Sequence, residues 1–262
     1  MAPARRPLEG RRVLVTRPAA RCRDLALRIE ALGARLALRP TIAFEPPSDP
    51  SAYRTAIERI DRYDLIVFTS ATGVRRFVKG LESRGQTPAN LGSRIAAIGP
   101  GTASALREFG LNPDRIATDS RSEGLAAALR EDLVAGAHVL CVLPESGRDL
   151  LPEALRELGA IVDSPAFYRT VEAKEAAEIA ADIVRGEYDA VVFTSPSSLA
   201  CLLAAGRAGV VSLRLGLGLT RIVTIGPVTA AAVEAAGLTV AAVAESPSAE
   251  GIVGALLHSF AC

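Results

Sequence analysis

The feature that most constrains this chain is that it repeats itself. Tyr63-Asp64-Leu65-Ile66-Val67-Phe68-Thr69-Ser70 returns 125 residues later as Tyr188-Asp189-Ala190-Val191-Val192-Phe193-Thr194-Ser195. Arg94-Ile95-Ala96-Ala97-Ile98-Gly99-Pro100-Gly101-Thr102-Ala103 returns after 127 as Arg221-Ile222-Val223-Thr224-Ile225-Gly226-Pro227-Val228-Thr229-Ala230. Around these, Val13-Leu14 and Pro18 match Val139-Leu140 and Pro144, and Leu32-Gly33-Ala34 matches Leu158-Gly159-Ala160. Gly110-Leu111 matches Gly237-Leu238, and Glu123-Gly124 matches Glu250-Gly251. Correspondences in one order at a nearly constant offset mark an internal duplication. A period of about 126 residues is domain-sized, far above that of a solenoid.

Each repeat reads as short apolar strands alternating with helices. Val13–Val15, Leu65–Phe68, Arg94–Ile98, Ile116–Thr118 and Val139–Leu143 are the strands, several of them continuous apolar runs of the kind buried on both faces. Helices are expected over 21–32, 102–109 and 122–133. Gly33 stops the first as a C′ glycine, and Ser70 or Thr72 can cap the helix after Phe68. This alternation implies parallel sheets with helices on both faces. Two domain arrangements satisfy it. Pro40 to Pro50 holds four prolines and interrupts the first repeat after one βαβ unit, and 164–174 interrupts the second at the same place. Crossing between domains at both places would make the first domain discontinuous, 1–39 with 172–262, around a second at 43–163. The linkers would then be 40–42 and 164–171. The alternative is two consecutive domains divided near 135.

Composition excludes several functions. With 49% hydrophobic and 23% charged residues in 262, the chain is an ordinary globular sequence. Its 30 basic and 29 acidic residues give a net charge of +1, so no global field draws nucleic acid or an anionic membrane. An anionic ligand must be held locally. The four cysteines, Cys22, Cys141, Cys201 and Cys262, are scattered, with no C-x-x-C pair, and the chain has only two histidines. No metal site is expected, and free thiols fit a reducing cytosol. Neither a secretory signal nor an apolar run able to span a membrane is expected.

The candidate sites fall at strand ends. In open α/β sheets ligands bind outside the carboxyl ends of the strands, where helix N-termini present free N–H groups to anions. Ser70 and Ser195 stand there at matched places, as do Thr102 and Thr229. The plainer reading of the serines is as helix caps; their recurrence in both halves favours a cleft between two such edges. Arg17 follows the first strand and Arg148 lies in the matching loop, where a guanidinium could take a carboxylate bidentately or simply stay solvated. Tyr168, in the second crossing segment, could donate a proton or be a half-buried hinge residue. Gly99-Pro100-Gly101-Thr102-Ala103-Ser104 lacks the third glycine of a dinucleotide loop, and Gly226-Pro227-Val228 lacks the second. That disfavours a nucleotide-dependent transferase. With His138 and His258 alone, no histidine triad is supported.

The ordered set Val13 to Pro18, Val67 to Ser70, Ile98 to Ala103, Phe167 to Thr170, Phe193 to Ser197 and Ile225 to Ala230, with Ala244 to Ser248 near the end, resembles the uroporphyrinogen-III synthase family. The resemblance runs from about 10 to 258. It implies two α/β domains with parallel sheets joined by a two-stranded ladder, the first domain discontinuous. It implies cyclisation of linear hydroxymethylbilane to uroporphyrinogen III, with loss of water and inversion of ring D, without metal or organic cofactor. The partner would be a small molecule with eight carboxylates, and the protein a cytoplasmic monomer. The resemblance puts the family's cleft tyrosine on Tyr168 and its cleft hydroxyls on Ser195 and Thr229. The remaining alternative is a non-catalytic anion- or tetrapyrrole-binding or sensing module on the same scaffold. Some relatives carry a fused DNA-binding domain, but no helix-turn-helix is expected here after the last helix.

Overall fold

The structure, a computed structural model, describes residues 6–17, 22–119, 121–131, 133–146 and 150–261. In chain order, the first half holds β1 (Arg12–Val15), α1 (Arg23–Ala31), β2 (Arg35–Leu38), β3 (Ile42–Glu45), α2 (Ser51–Glu58), β4 (Leu65–Phe68), α3 (Ala71–Glu82), β5 (Arg94–Ala97), α4 (Pro100–Arg107), β6 (Arg115–Ile116) and α5 (Ser122–Leu129). The second holds β7 (His138–Pro144), α6 (Leu151–Glu157), β8 (Ile161–Asp163), β9 (Ala166–Glu172), α7 (Ala176–Val184), β10 (Ala190–Phe193), α8 (Pro196–Ala205), α9 (Val210–Gly218), β11 (Arg221–Thr224), α10 (Pro227–Ala235), β12 (Ala242–Val243) and α11 (Ala249–Ala261).

The chain divides into two compact units, one of Met1–Ala43 with Val171–Cys262, the other of Phe44–Thr170. The first unit carries a five-stranded sheet in the order β2-β1-β10-β11-β12. All of its pairings are parallel. Counted along the unit this is 2-1-3-4-5, an open doubly wound order whose switch point lies between β1 and β10. In the second unit β8-β7-β4-β5-β6 run parallel in the equivalent order. There β9 pairs with β7, and β3 with β9. The two segments that cross between units are therefore strands, and the first residues of β9 extend the second sheet. The pairing of β9 with β7 slips between Leu143 and Pro144, so that Ala166 lies opposite Leu143 and Tyr168 opposite Pro144.

Both units follow from apolar strands buried on two faces. In β4, all four residues are buried: Ile66 and Phe68 pack with Val74, Phe77 and Leu140, while Leu65 and Val67 pack with Leu125 and Leu129. In β10, Val192 faces Ile29, Ile252 and Leu256, and Phe193 faces Ile179, Leu202 and Leu213. Each such side chain contributes on the order of 1.5–3 kcal/mol through burial. Gly33 takes φ +92 after α1, the left-handed turn a C′ residue needs. The helix expected over 102–109 begins two residues earlier, because Pro100 needs no partner for its missing N–H at the first helical position. The helix expected over 122–133 stops at Leu129. Among the described residues no helix is long and apolar enough to cross a membrane.

Candidate functional site

At the carboxyl edge of each sheet, the helices after two neighbouring strands, β4 and β5 in one unit and β10 and β11 in the other, differ in how their N-termini are satisfied. In the second unit, Ser70 ends the turn after β4 in extended conformation, and its Oγ accepts the Gly73 N–H at 2.9 Å. A Cβ at Gly73 would press on Val142 Cγ1 at 3.1 Å, so the glycine lets α3 start close against β7. The neighbouring α4 starts from Gly99 with no side-chain cap. Its first turn holds the exposed Gly101, with nothing crowding it, and the buried Thr102. The first unit repeats this division. Ser195 caps α8 by accepting the Ser198 N–H at 3.2 Å, while α10 starts from Gly226 without a side-chain cap and buries Thr229. Backbone N–H groups with no side-chain acceptor, at the positive end of a helix, suit an anion.

The two serines keep different company. Ser70 Oγ lies 2.9 Å from the Tyr168 hydroxyl. Tyr168 is buried in the core of its unit and packs edge-on against Phe44, ring centres 5.6 Å apart. Phe167, the next residue on β9, is buried in the same core against Tyr53 and Phe77. Consecutive strand residues normally face opposite ways; the slip opposite Pro144 lets both turn inward. Ser195 instead sits 2.7 Å from the Ser198 hydroxyl, which also donates to the Ser195 carbonyl at 3.0 Å. The buried Thr41 hydroxyl donates to the Ser198 carbonyl at 2.8 Å. Sequence reasoning did not single out Ser198 or Thr41, whose only signal is polar residues in apolar surroundings.

Arg17 is half-buried just after β1, and its charge opposes the burial that pushes the Cys22 thiol upward. The preceding Thr16 hydroxyl donates to the Val192 carbonyl at 2.9 Å, tying the end of β1 to β10. Arg148 lies outside the described residues. The structure therefore brings Ser70 and Tyr168 together in one unit, with Thr102 beginning the adjacent helix. It places Arg17, Ser195 and Thr229 at strand ends of the other. No described set of three or more His, Cys, Asp or Glu side chains could hold a metal ion.

These features define a doubly wound α/β protein of two units, each with helices starting at the carboxyl edge of parallel strands. The chain belongs to the uroporphyrinogen-III synthase family: the family described as uroporphyrinogen-III synthase HemD matches residues 23–254. A putative uroporphyrinogen-III synthase of Methanothermobacter thermautotrophicus is 31% identical over 229 residues, covering 86% of this chain and 89% of its own. A uroporphyrinogen-III synthase of Synechococcus elongatus is 28% identical over 79% of this chain and 80% of its own. In fold, the chain is similar to a mutant uroporphyrinogen III synthase of Thermus thermophilus, with a TM-score of 0.66 at 24% identity over 96% of this chain and 99% of that one. The Helicobacter pylori uroporphyrinogen-III synthetase gives 0.60 at 15% identity over 94% and 98%.

Proposed function

We infer that this chain is an enzyme of tetrapyrrole biosynthesis, converting hydroxymethylbilane to uroporphyrinogen III with loss of water and inversion of ring D. In class it is a cyclising hydro-lyase, and we propose that it works in the cytoplasm as a monomer without metal or organic cofactor. The observation that carries this reading is the family match from 23 to 254. The site geometry supports it: each unit sets a glycine-started helix without a side-chain cap beside a serine-capped one. The substrate's eight carboxylates need many modest anion contacts rather than one strong one. The starts of α4 and α10, with Thr102 and Thr229, supply them, as do Arg17, Ser195 and Arg148.

In this reading Tyr168 acts on the leaving hydroxyl. Its phenol gives a proton to that hydroxyl, which departs as water with the C–O electron pair. The positive charge left on the pyrrole is relieved when the ring N–H returns a proton to the phenolate. The step yields azafulvene, water and a neutral tyrosine. Ring closure through the spiro route then depends on holding rings A and D, so positioning carries more of the rate than proton transfer. The test is an isomer ratio. Hydroxymethylbilane closes unaided to the type I product, so purified protein without additives should shift the outcome to type III. Type I alone, where a known synthase gives type III, would overturn the enzyme and leave a binding module.

A further inference from the structure

The matched serines cap matched helices, yet only Ser70 touches a tyrosine. We propose that Ser70 is the positioning residue for Tyr168: its hydroxyl donates to the phenol oxygen, so the phenol's own proton is directed away from α3 toward the substrate. The proposal rests on the synthase reading and on Tyr168 as proton donor, and it gives Ser70 a role other than carboxylate binding.

Three observations carry it. First, Ser70 Oγ is held on two sides, 2.9 Å from the Gly73 N–H and 2.9 Å from the Tyr168 hydroxyl. A cap oxygen at the positive end of α3 turns its lone pairs toward the helix N–H groups and its proton outward. The atom on that outward side is the phenol oxygen. Second, Tyr168 is brought to Ser70 by an irregularity in strand pairing, since only the slip between Leu143 and Pro144 turns Phe167 and Tyr168 into one core. Such slips re-aim side chains. Third, the ring is fixed edge-on by Phe44, so the hydroxyl has little freedom apart from rotation of its proton. A hydrogen bond received from Ser70 restricts that rotation. It also stabilises the phenolate that forms when the proton leaves. Ser195 is the internal control, because its hydroxyl pairs with Ser198 instead.

The experiment is a double-mutant cycle on type III formation, with kcat and KM measured for wild type, Ser70→Ala, Ser70→Thr, Tyr168→Phe and Ser70→Ala/Tyr168→Phe, and with Ser195→Ala made in both backgrounds. Ser70→Ala should lower kcat about tenfold with KM within twofold, and Ser70→Thr should recover most of it. The double variant should match Tyr168→Phe alone, because Ser70 acts only through the phenol. Ser195→Ala should cost the same factor in both backgrounds. Ser70→Gly supports the cycle if Ser70→Ala folds poorly, since glycine is nearly as good a cap as serine. A Ser70 loss that persists undiminished in the Tyr168→Phe background, or one confined to KM, overturns the proposal alone. So does Ser70→Thr behaving no better than Ser70→Ala. A fully active Tyr168→Phe overturns it together with the proton-donor assignment. A wild-type protein that yields only type I removes the synthase reading, and this proposal with it.

Discussion

The two units use one strand arrangement but draw it from the chain in different ways. In the unit of Phe44–Thr170 all strands come from a continuous stretch, and the central β7 is fourth in the chain to enter the parallel set β4 to β8. In the other unit β1 and β2 come from the start of the chain, and their partners lie beyond Val171. Register is nevertheless identical. Val13 lies opposite Ala190 as its counterpart Val139 lies opposite Leu65. Ala190 faces Arg221 as Leu65 faces Arg94. Val223 faces Ala242 as Ala96 faces Arg115, and Val13 faces Leu36 as Val139 faces Val162. Each sequence repeat thus gives its first βαβ segment to one unit and the rest to the other. What the duplication specifies is contact between strands, not continuity of chain, and burial on both faces is what makes register so strictly held.

If the units are matched in framework but divided in chemistry, variants at matched positions should diverge at the edges and agree in the core. The largest divergence is expected for Tyr168→Phe. Turnover should fall by up to about 10²-fold, with product affinity unchanged, because bound product lacks the leaving hydroxyl. Ser195→Ala and Thr229→Ala in the other unit should mainly raise KM, by roughly two- to tenfold at about one weak anion contact each. Steady-state kinetics read both. Full activity in Tyr168→Phe with none in a folded Thr229→Ala would reverse the division.

Agreement is expected at Gly124 and Gly251, the matched glycines early in α5 and α11. A Cβ at Gly124 would run into the Asp119 carbonyl, and one at Gly251 into the Ser246 carbonyl. Alanine at either site should cost about 1–3 kcal/mol by forcing backbone apart, measurable by urea unfolding. One tolerated and one not would break the framework match. A smaller difference is expected at the matched tyrosines. The Tyr63 hydroxyl donates to Asp163 at 2.7 Å, whereas the Tyr188 hydroxyl accepts from Arg39 at 3.3 Å. Burial, then the Asp163 carboxylate, push the Tyr63 phenol well above the usual range. Folding therefore favours protonated Tyr63. Its contribution is fully present below about pH 10, where an unfolded tyrosine begins to ionise, and is lost as pH rises beyond that. Tyr63→Phe should cost about 1 kcal/mol or less at neutral pH and flatten the decline of stability above pH 10.

Legibility in the sequence followed the same physics. The buried strands at Leu65–Phe68 and Ala190–Phe193 announce themselves as apolar runs, and Gly33 marks a helix end by a turn few other residues accept. By contrast α9 is not legible in the sequence, because Val211 and Leu215 are exposed and erase the contrast between its faces. The proline-rich stretch marks where the chain crosses, and the family resemblance implies a strand there, but its residue pattern shows neither β3 nor α2, and Pro50 stands just outside that helix. At the site, strand ends located the hydroxyls, but not their partners. Ser70 and Tyr168 are 98 residues apart, and the slipped pairing that joins them depends on which strand lies beside β9.

The split of each repeat between units has a consequence for synthesis on the ribosome. The Thr16 hydroxyl bonds to Val192 across 176 residues, so at roughly 5–20 residues per second β1 waits about ten seconds or more for its central partner. The continuous unit can close as soon as Thr170 emerges, while the apolar Val13 to Val15 are still uncovered. Nascent chains halted once Thr170 has left the ribosome, but before Val192 has, should therefore hold a protease-resistant body beginning near Phe44, preceded by a cleavable segment. The duplication that gives this protein two similar sheets also fixes the order in which they are completed, and it leaves the start of the chain dependent on its end.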